Sequence, residues 1–247
     1  MAETVFGQRT CVELVSASHG SVQPPLVQQF DLTPNLESRT ISEFCNTEAA
    51  KTIATFNDVT MTLNYIDSDS HLIDASINDS DPGATITVHN PSEMKEIVAF
   101  ANMEGDDGII FESVLVKGVR IDGNSSSEAV DGEATISVTG TATGMRRVDG
   151  AAILYTRMLA DTPDPSVFLQ GGSNSSSDKN FPAGAPFDVT LDETAETNPN
   201  TGNLYLLVLK NGVEVTTGFS MTATTFTLPS APATTDVWEA FTLYIDS

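Results

Sequence analysis

Residues able to do chemistry are scarce in this chain of 247 residues. The three histidines, His19, His71 and His89, stand at no metal-ligand spacing from one another. The two cysteines, Cys11 and Cys45, match no zinc or redox spacing and read as reduced, buried thiols. No G-x-S-x-G, H-E-x-x-H, phosphate-binding loop or G-x-G-x-x-G occurs. The pairs Asp67/Asp69 and Asp79/Asp81 and the triplet Glu104/Asp106/Asp107 carry the carboxylate oxygens that Ca²⁺ takes. None completes an EF-hand loop, and Asp79-Ser80-Asp81-Pro82-Gly83 serves equally as a plain turn. The N-x-S/T sequences at Asn78, Asn124 and Asn174 have no export signal to give them meaning. The expectation is a protein that is not an enzyme, with no catalytic residue, cofactor or bound metal.

Charge says more. There are 34 acidic residues against 11 basic ones, a formal net charge of −23. Charged residues are nevertheless only 18% of the chain, too few for a disordered acidic tail. The acids are scattered among Val, Ile, Thr and Phe in runs that read as strands. Such a protein folds and repels polyanions, which argues against gripping nucleic acid through its charge. Adaptation to a high-salt host is a second reading of the same excess. No apolar run approaches the ~20 residues that span a bilayer, so no membrane is expected. The start, Met1-Ala2-Glu3-Thr4-Val5, has no secretory pattern, and synthesis in the cytoplasm without export follows as the expectation.

The elements are mainly strands. Lys51–Ile66 (KTIATFNDVTMTLNYI) alternates from Asp58 onward: Val59, Met61, Leu63 and Tyr65 fall on one face, Asp58, Thr60, Thr62 and Asn64 on the other. Gly132–Thr143 (GEATISVTGTAT) is stricter. It sets Ala134, Ile136, Val138 and Ala142 against Glu133, Thr135, Ser137, Thr139, Thr141 and Thr143. Strands of this kind bury one side and keep the other wet. Ile109–Asp122 is a third long strand with Gly118 as a bulge or bend. One helix is predicted after Asn90. Asn90 can cap it, Pro91 suits its first position, Met94, Ile97, Val98 and Ala101 follow at i, i+3, i+4 and i+7, and Gly105 stops it. A short helical turn is expected around Leu72–Ile77. Asp31–Ala50 reads as a long loop, of a length that in a compact domain serves a function or meets a partner.

Ala160–Ser166 (ADTPDPS) is Pro/Asp-rich and is the expected boundary. It divides the chain into a domain at 1–160, a linker at 161–166 and a small domain at 167–247. The last part is all-β in pattern. Phe187, Val189 and Leu191 alternate, Leu204–Leu209 is nearly all apolar, and Asn211-Gly212 between β runs signals a hairpin. Several short strands around Trp238 suggest an immunoglobulin-like sandwich. The expected class is mainly β (α+β): a β-sandwich or barrel domain with one helix, then a small β-sandwich.

DLTPNLESRTISEF running into TIATFNDVTMTLNY, then GIIFESVLVKGVRI and GEATISVTGTATG, carry a resemblance of layout over roughly residues 10–158. The chain resembles the major tail (tail tube) proteins of long-tailed bacterial and archaeal viruses. The C-terminal part resembles immunoglobulin-like modules that some of them display outside the tail. The resemblance implies a structural virion protein whose hexameric rings stack into a hollow tube for genome delivery, with strands of every subunit joined in one inner barrel. Its implied partners are further copies of itself, the tape measure, the tail terminator and the distal tail protein, while DNA passes without specific binding. The implied location is the virion tail, after synthesis in the host cytoplasm. On this reading Asp58, Thr60, Thr62, Asn64, Glu133, Thr135, Ser137 and Thr139 face the lumen. Val59, Met61, Leu63, Ile136 and Val138 pack outward against the helix bearing Ile97 and Val98. Leu32, Leu36, Ile41 and Phe44 belong to an arm between subunits, and the C-terminal module is dispensable for assembly. Two other classes stay open: a head decoration or head–tail joining protein, and a cell-surface or carbohydrate-binding β module.

Overall fold

A computed structural model describes residues 9–16, 20–22, 27–41, 51–67, 97–105, 108–128, 134–160 and 176–245. The N-terminal part consists of β1 (Arg9–Ser16), β2 (Gly20–Val22), β3 (Val27–Ile41), β4 (Lys51–Asp67), β5 (Ile97–Glu104), β6 (Ile110–Glu128), β7 (Ala134–Ala142) and β8 (Gly144–Asp149). Hydrogen bonds join them in the order β2-β1-β5-β6-β7-β4-β3, with β8 also on β6. This ladder is folded over on itself. The first half of β6 pairs with β5 and β8, and its second half pairs with β7. An inner sheet (β3, β4, β7 and the end of β6) therefore faces a middle sheet (β1, β2, β5, β8 and the start of β6).

The fold-over has a local cause. Arg120 pairs with Thr141 and Lys117 with Gly144, so β6 and β7–β8 form one long antiparallel hairpin in constant register at that point. It bends where Gly118 adopts φ +60 opposite Thr143. A Cβ on Gly118 would stand 2.3 Å from Thr143 Oγ1, so the bend needs glycine both for its backbone and for its space. Gly118→Ala is expected to lose ~1–2 kcal/mol from the left-handed conformation alone, and more from displacing Thr143. A thermal melt checks this; an unchanged midpoint would mean that the bend is not held here.

Alternation on β4 fixes the core. Val59, Met61, Leu63 and Tyr65 are each 0% exposed, and they pack with Val138 and Ala142 of β7 against Val12, Leu14, Ala99, Ala101, Val114 and Val116 of the middle sheet. A slip of one residue would expose all four, at ~1.5–3 kcal/mol for each apolar side chain, so the register is firmly set.

The expected helix is not there: Ile97–Glu104 is strand β5, and among the described residues there is no helix at all. β5 is bonded on both sides, to β1 and to β6, and both of its faces are covered. Ala99 and Ala101 meet the inner sheet, while Val98 and Phe100 meet the C-terminal part. Asn90, Pro91, Met94 and the turn at Leu72–Ile77 lie outside the described residues. The loop expected from Asp31 is, as far as Ile41, strand β3 paired along its length with β4.

The C-terminal part builds on β9 (Ala152–Leu159), β10 (Ser176–Asn180), β11 (Phe187–Thr190), β12 (Leu207–Lys210), β13 (Val213–Glu214), β14 (Ser220–Met221), β15 (Thr225–Leu228) and β16 (Val237–Tyr244). A five-stranded sheet, β10-β9-β16-β12-β13, faces a three-stranded one, β11-β15-β14. Met158, Phe181, Val189, Val208, Phe226, Trp238 and Ala240 fill the space between them. Asn211 (φ 52) and Gly212 (φ 77) make the hairpin turn from β12 to β13 that their sequence signals. β9 precedes the expected boundary, yet it pairs with β16 over its whole length. The expected linker, 161–166, lies outside the described residues.

The five-stranded sheet also covers the back of the middle sheet. Val15, Val98, Phe100 and Leu115 pack against Ile153, Tyr155, Leu207, Phe241 and Leu243. Phe100 meets Phe241 edge to face at 5.8 Å between ring centroids. Asn102 fastens this contact: its Nδ2 donates to Ile153 O and its Oδ1 accepts from Ile153 N, both at 2.9 Å. Ser113 Oγ lies 2.7 Å from Asn102 Oδ1 and 2.8 Å from Ala151 O, within donating reach of both. At the rim, Glu214 of β13 pairs with Lys117 of β6 and with Arg146 of β8, the latter at 3.3 Å. Burial raises the Glu214 carboxyl, but the hydrogen bonds and charges of Lys117 and Arg146 outweigh it and hold the group below its usual value.

Candidate functional site

The stacked sheets leave the outer face of the inner sheet without a cover among the described residues. The register on β4 aligns polar side chains in rows across strands. Gln29, Asn64 and Ser137 form one row, and Asp31, Thr62 and Thr139 the next. Thr33, Thr60 and Thr141 form a third that continues to Arg120, and Asn35 pairs with Asp58. All are exposed or half-buried. Opposed residues on neighbouring strands share a face, so this is one continuous wall of hydroxyls, amides and a few charges.

The wall is laced together. Asn35 Nδ2 donates to Asp58 Oδ1 and lies 3.0 Å from Thr60 Oγ1. Asn64 Nδ2 donates to Gln29 Oε1 at 2.6 Å, and Gln29 Nε2 donates to Asp31 Oδ2. Side chains tied to one another in this way present a fixed, hydrated surface rather than loose chains. In these rows Asp31 and Asp58 face a single cation, Arg120. Among the described rows the face is more polar than acidic.

Of the residues expected on a wet face, Asp58, Thr60, Thr62, Asn64, Thr135, Ser137 and Thr139 share this wall, and Glu133 lies outside the described residues. Their apolar counterparts Val59, Met61, Leu63 and Val138 pack against strands β1, β5 and β6. The expected helix bearing Ile97 and Val98 is absent, and Val98 points to the opposite side of its sheet. Sequence reasoning missed the β3 contribution, Gln29, Thr33 and Asn35. Its signal was the alternation of Phe30, Leu32 and Pro34 with Asp31, Thr33 and Asn35.

The expected arm residues are spread along β3. Leu32 is half-buried and packs on the inner core. Leu36, by contrast, is 62% exposed. Ile41 pairs with Lys51 at the far end of the ladder, and Phe44 lies outside the described residues. β4 pairs with β7 only from Val59 onward, whereas β3 and β4 stay paired out to Ile41 and Lys51. Residues 36–41 and 51–56 therefore form a two-stranded ribbon that runs beyond the sheet. β3 is also the last strand of the ladder, with one edge unpaired among the described residues. Pro34 has no N–H to give and is tolerated in such an edge strand.

His71, His89 and His19 lie outside the described residues, as does Cys45. Among the described residues no three His, Cys, Asp or Glu side chains come together to hold a metal ion.

No known family model matches the chain, and no curated protein matches it either. Solved structures do. The tube-terminating cap of the anti-feeding prophage is similar at 10% identity and a TM-score of 0.41, over 60% of this chain and 93% of that one. The SPP1 tail tube is similar at 12% identity and a TM-score of 0.41, over 59% of this chain and 79% of that one. Hcp1 from Salmonella typhimurium is similar at 10% identity and a TM-score of 0.34, over 57% of this chain and 87% of that one. At such values what supports a function is the geometry of the chain itself.

Proposed function

We propose that this chain is a structural virion protein whose copies assemble, six to a ring, into stacked rings that form the hollow tail tube for genome delivery. The observation that carries the reading is the inner sheet. One face is sealed by the core, the other is a continuous polar wall, and its last strand, β3, 15 residues long, has one edge unpaired among the described residues. A free edge of that length is an aggregation hazard unless something pairs with it or covers it. Joining it to a neighbouring copy removes the hazard, extends the polar wall from subunit to subunit and encloses water inside a barrel. Head-to-tail joining of this kind closes into rings, and ring stacking gives a filament.

The other roles follow from the layers. The polar wall, with Asp58, Thr60, Thr62, Asn64, Thr135, Ser137 and Thr139, lines the channel. The β3–β4 ribbon reaches a neighbour as the arm. The C-terminal sandwich, read as an immunoglobulin-like outer module, sits on the far side of the middle sheet from the channel. Tape measure, terminator and distal tail proteins meet the tube, which forms in the host cytoplasm and ends in the virion tail. Negative-stain microscopy of the purified protein tests this reading. Rings and tubes support it, while compact monomers or trimers alone at high concentration would overturn it.

The wall also predicts how DNA behaves. With Asp31, Asp58 and Arg120 the described rows sum to about −1 per subunit, so a passing phosphate backbone finds hydroxyls and amides and little to hold it. Asp58→Lys moves that sum to about +1 at every subunit. Tubes of this variant should retain DNA at low salt, read by co-sedimentation, where wild-type tubes retain none. Equal retention by both would remove the wall from contact with DNA.

A further inference from the structure

We propose that Glu239 is a proton-operated latch on the contact between the C-terminal sandwich and the middle sheet: the contact tightens when its carboxyl takes up a proton and loosens when it releases it. The inference is independent of the tube reading. Glu239 lies in β16 between Arg157 of β9 and Leu209 of β12, and it is 0% exposed. It shares a sheet face with Phe241, which packs on Phe100 of the middle sheet. Its Oε1 accepts a hydrogen bond from Tyr155 Oη at 3.0 Å, while its buried Oε2 has no hydrogen-bond partner among the described residues. A carboxylate so placed is half-solvated at best, whereas a carboxylic acid loses little by burial.

The groups facing it are few. From β9 come Tyr155 and Arg157, and Arg157, itself 3% exposed, lies 3.8 Å from Asp178 of β10. From β12 comes Leu209, which carries no charge. On the middle sheet Glu13 of β1 is opposite Phe100, on the same buried face, and accepts a hydrogen bond from Ser21. Burial pushes the Glu239 carboxyl up to about 7, against the opposing pull of the Tyr155 hydrogen bond and the Arg157 charge. Burial first, and then the Glu239 charge, raise the Tyr155 hydroxyl well above its usual range, so it stays a donor throughout. Burial also raises the Asp178 carboxyl, with Arg157 pulling the other way.

The sign follows from linkage. The carboxyl is raised in the folded protein, so its contribution is fully present below its unfolded value of 4.5 and is lost as pH rises through about 7. The difference of about 2.5 pH units corresponds to a change on the order of 10²-fold in the opening equilibrium. Hydrogen exchange of the full-length protein at pH 5.5 and 8.0, corrected for intrinsic rates, reads this on the amides of β9 and β16. Wild-type protection should fall roughly 30-fold at the higher pH, and Glu239→Gln should abolish the dependence. A dependence that survives in Glu239→Gln comes from another group and overturns the proposal. Constant wild-type protection overturns it too. If Glu239→Gln fails to fold, Tyr155→Phe decides. Losing the hydrogen bond to the ionised form should move the midpoint to higher pH, and an unmoved midpoint refutes the latch.

Discussion

Leu36→Lys should raise the concentration needed for assembly roughly 10- to 100-fold while leaving the subunit folded. Leu36 is 62% exposed and sits where the β3–β4 ribbon leaves the sheet, so its own subunit gains little from it. Substitutions at such surface positions usually change stability by no more than ~0.5 kcal/mol. If the ribbon docks on a neighbour, the same side chain is buried there. Lysine then forfeits ~1.5–3 kcal/mol of apolar burial at every interface and adds a charge that must be desolvated. At ~1.4 kcal/mol per tenfold, the concentration needed for assembly rises roughly 10- to 100-fold. Sedimentation at a series of concentrations, with a thermal melt of the same sample, separates the two effects. An unshifted assembly threshold would take Leu36 out of the arm.

Ending the chain at Ala160 should give a protein that does not stay in solution as a folded monomer. It would strip Phe241, Leu243 and Leu207 from the back of the middle sheet and expose Phe100 and Leu115, which are 0% exposed, together with Val15 and Val98. Four such side chains at ~1.5–3 kcal/mol each amount to roughly 6–12 kcal/mol, comparable with the ~5–15 kcal/mol that holds a whole domain together. β9 would also lose β16, its partner along all eight residues. The sequence suggested a C-terminal module dispensable for assembly, whereas the packing makes it part of the shared core. Near-UV circular dichroism and sedimentation of the shortened chain check this. A soluble species with a cooperative melt would mean that the middle sheet needs no cover.

What could be read from the sequence depended on how many faces a strand buries. β4 and β7 bury one face and wet the other, so Val59, Met61 and Leu63 against Thr60, Thr62 and Asn64 announced both the element and its orientation. β5 buries both faces, and period 2 vanishes in a run such as Ile97-Val98-Ala99-Phe100-Ala101. Its apolar positions fit a helical spacing equally well, and only pairing with β1 and β6 settles the matter. β3 was obscured by Pro34 and by a register shift between Asn35 and Leu36. Gly118 was legible as a bend because glycine inside a strand pattern has few other meanings. Glu239 left a fainter trace: a lone acid within Val237-Trp238-Glu239-Ala240-Phe241, where every neighbour is apolar.

The central claim is that the polar face of the inner sheet lines a channel. Helical reconstruction of assembled particles by electron microscopy tests it most directly, through the radius at which each strand face lies. The account predicts Thr60, Thr62, Thr139 and Thr141 at the channel wall, Val59, Met61 and Leu63 behind them, and the three-stranded sheet β11-β15-β14 in the outermost layer. Particles in which the C-terminal sandwich lines the channel, or in which the Thr60/Thr62 face points outward, would contradict it.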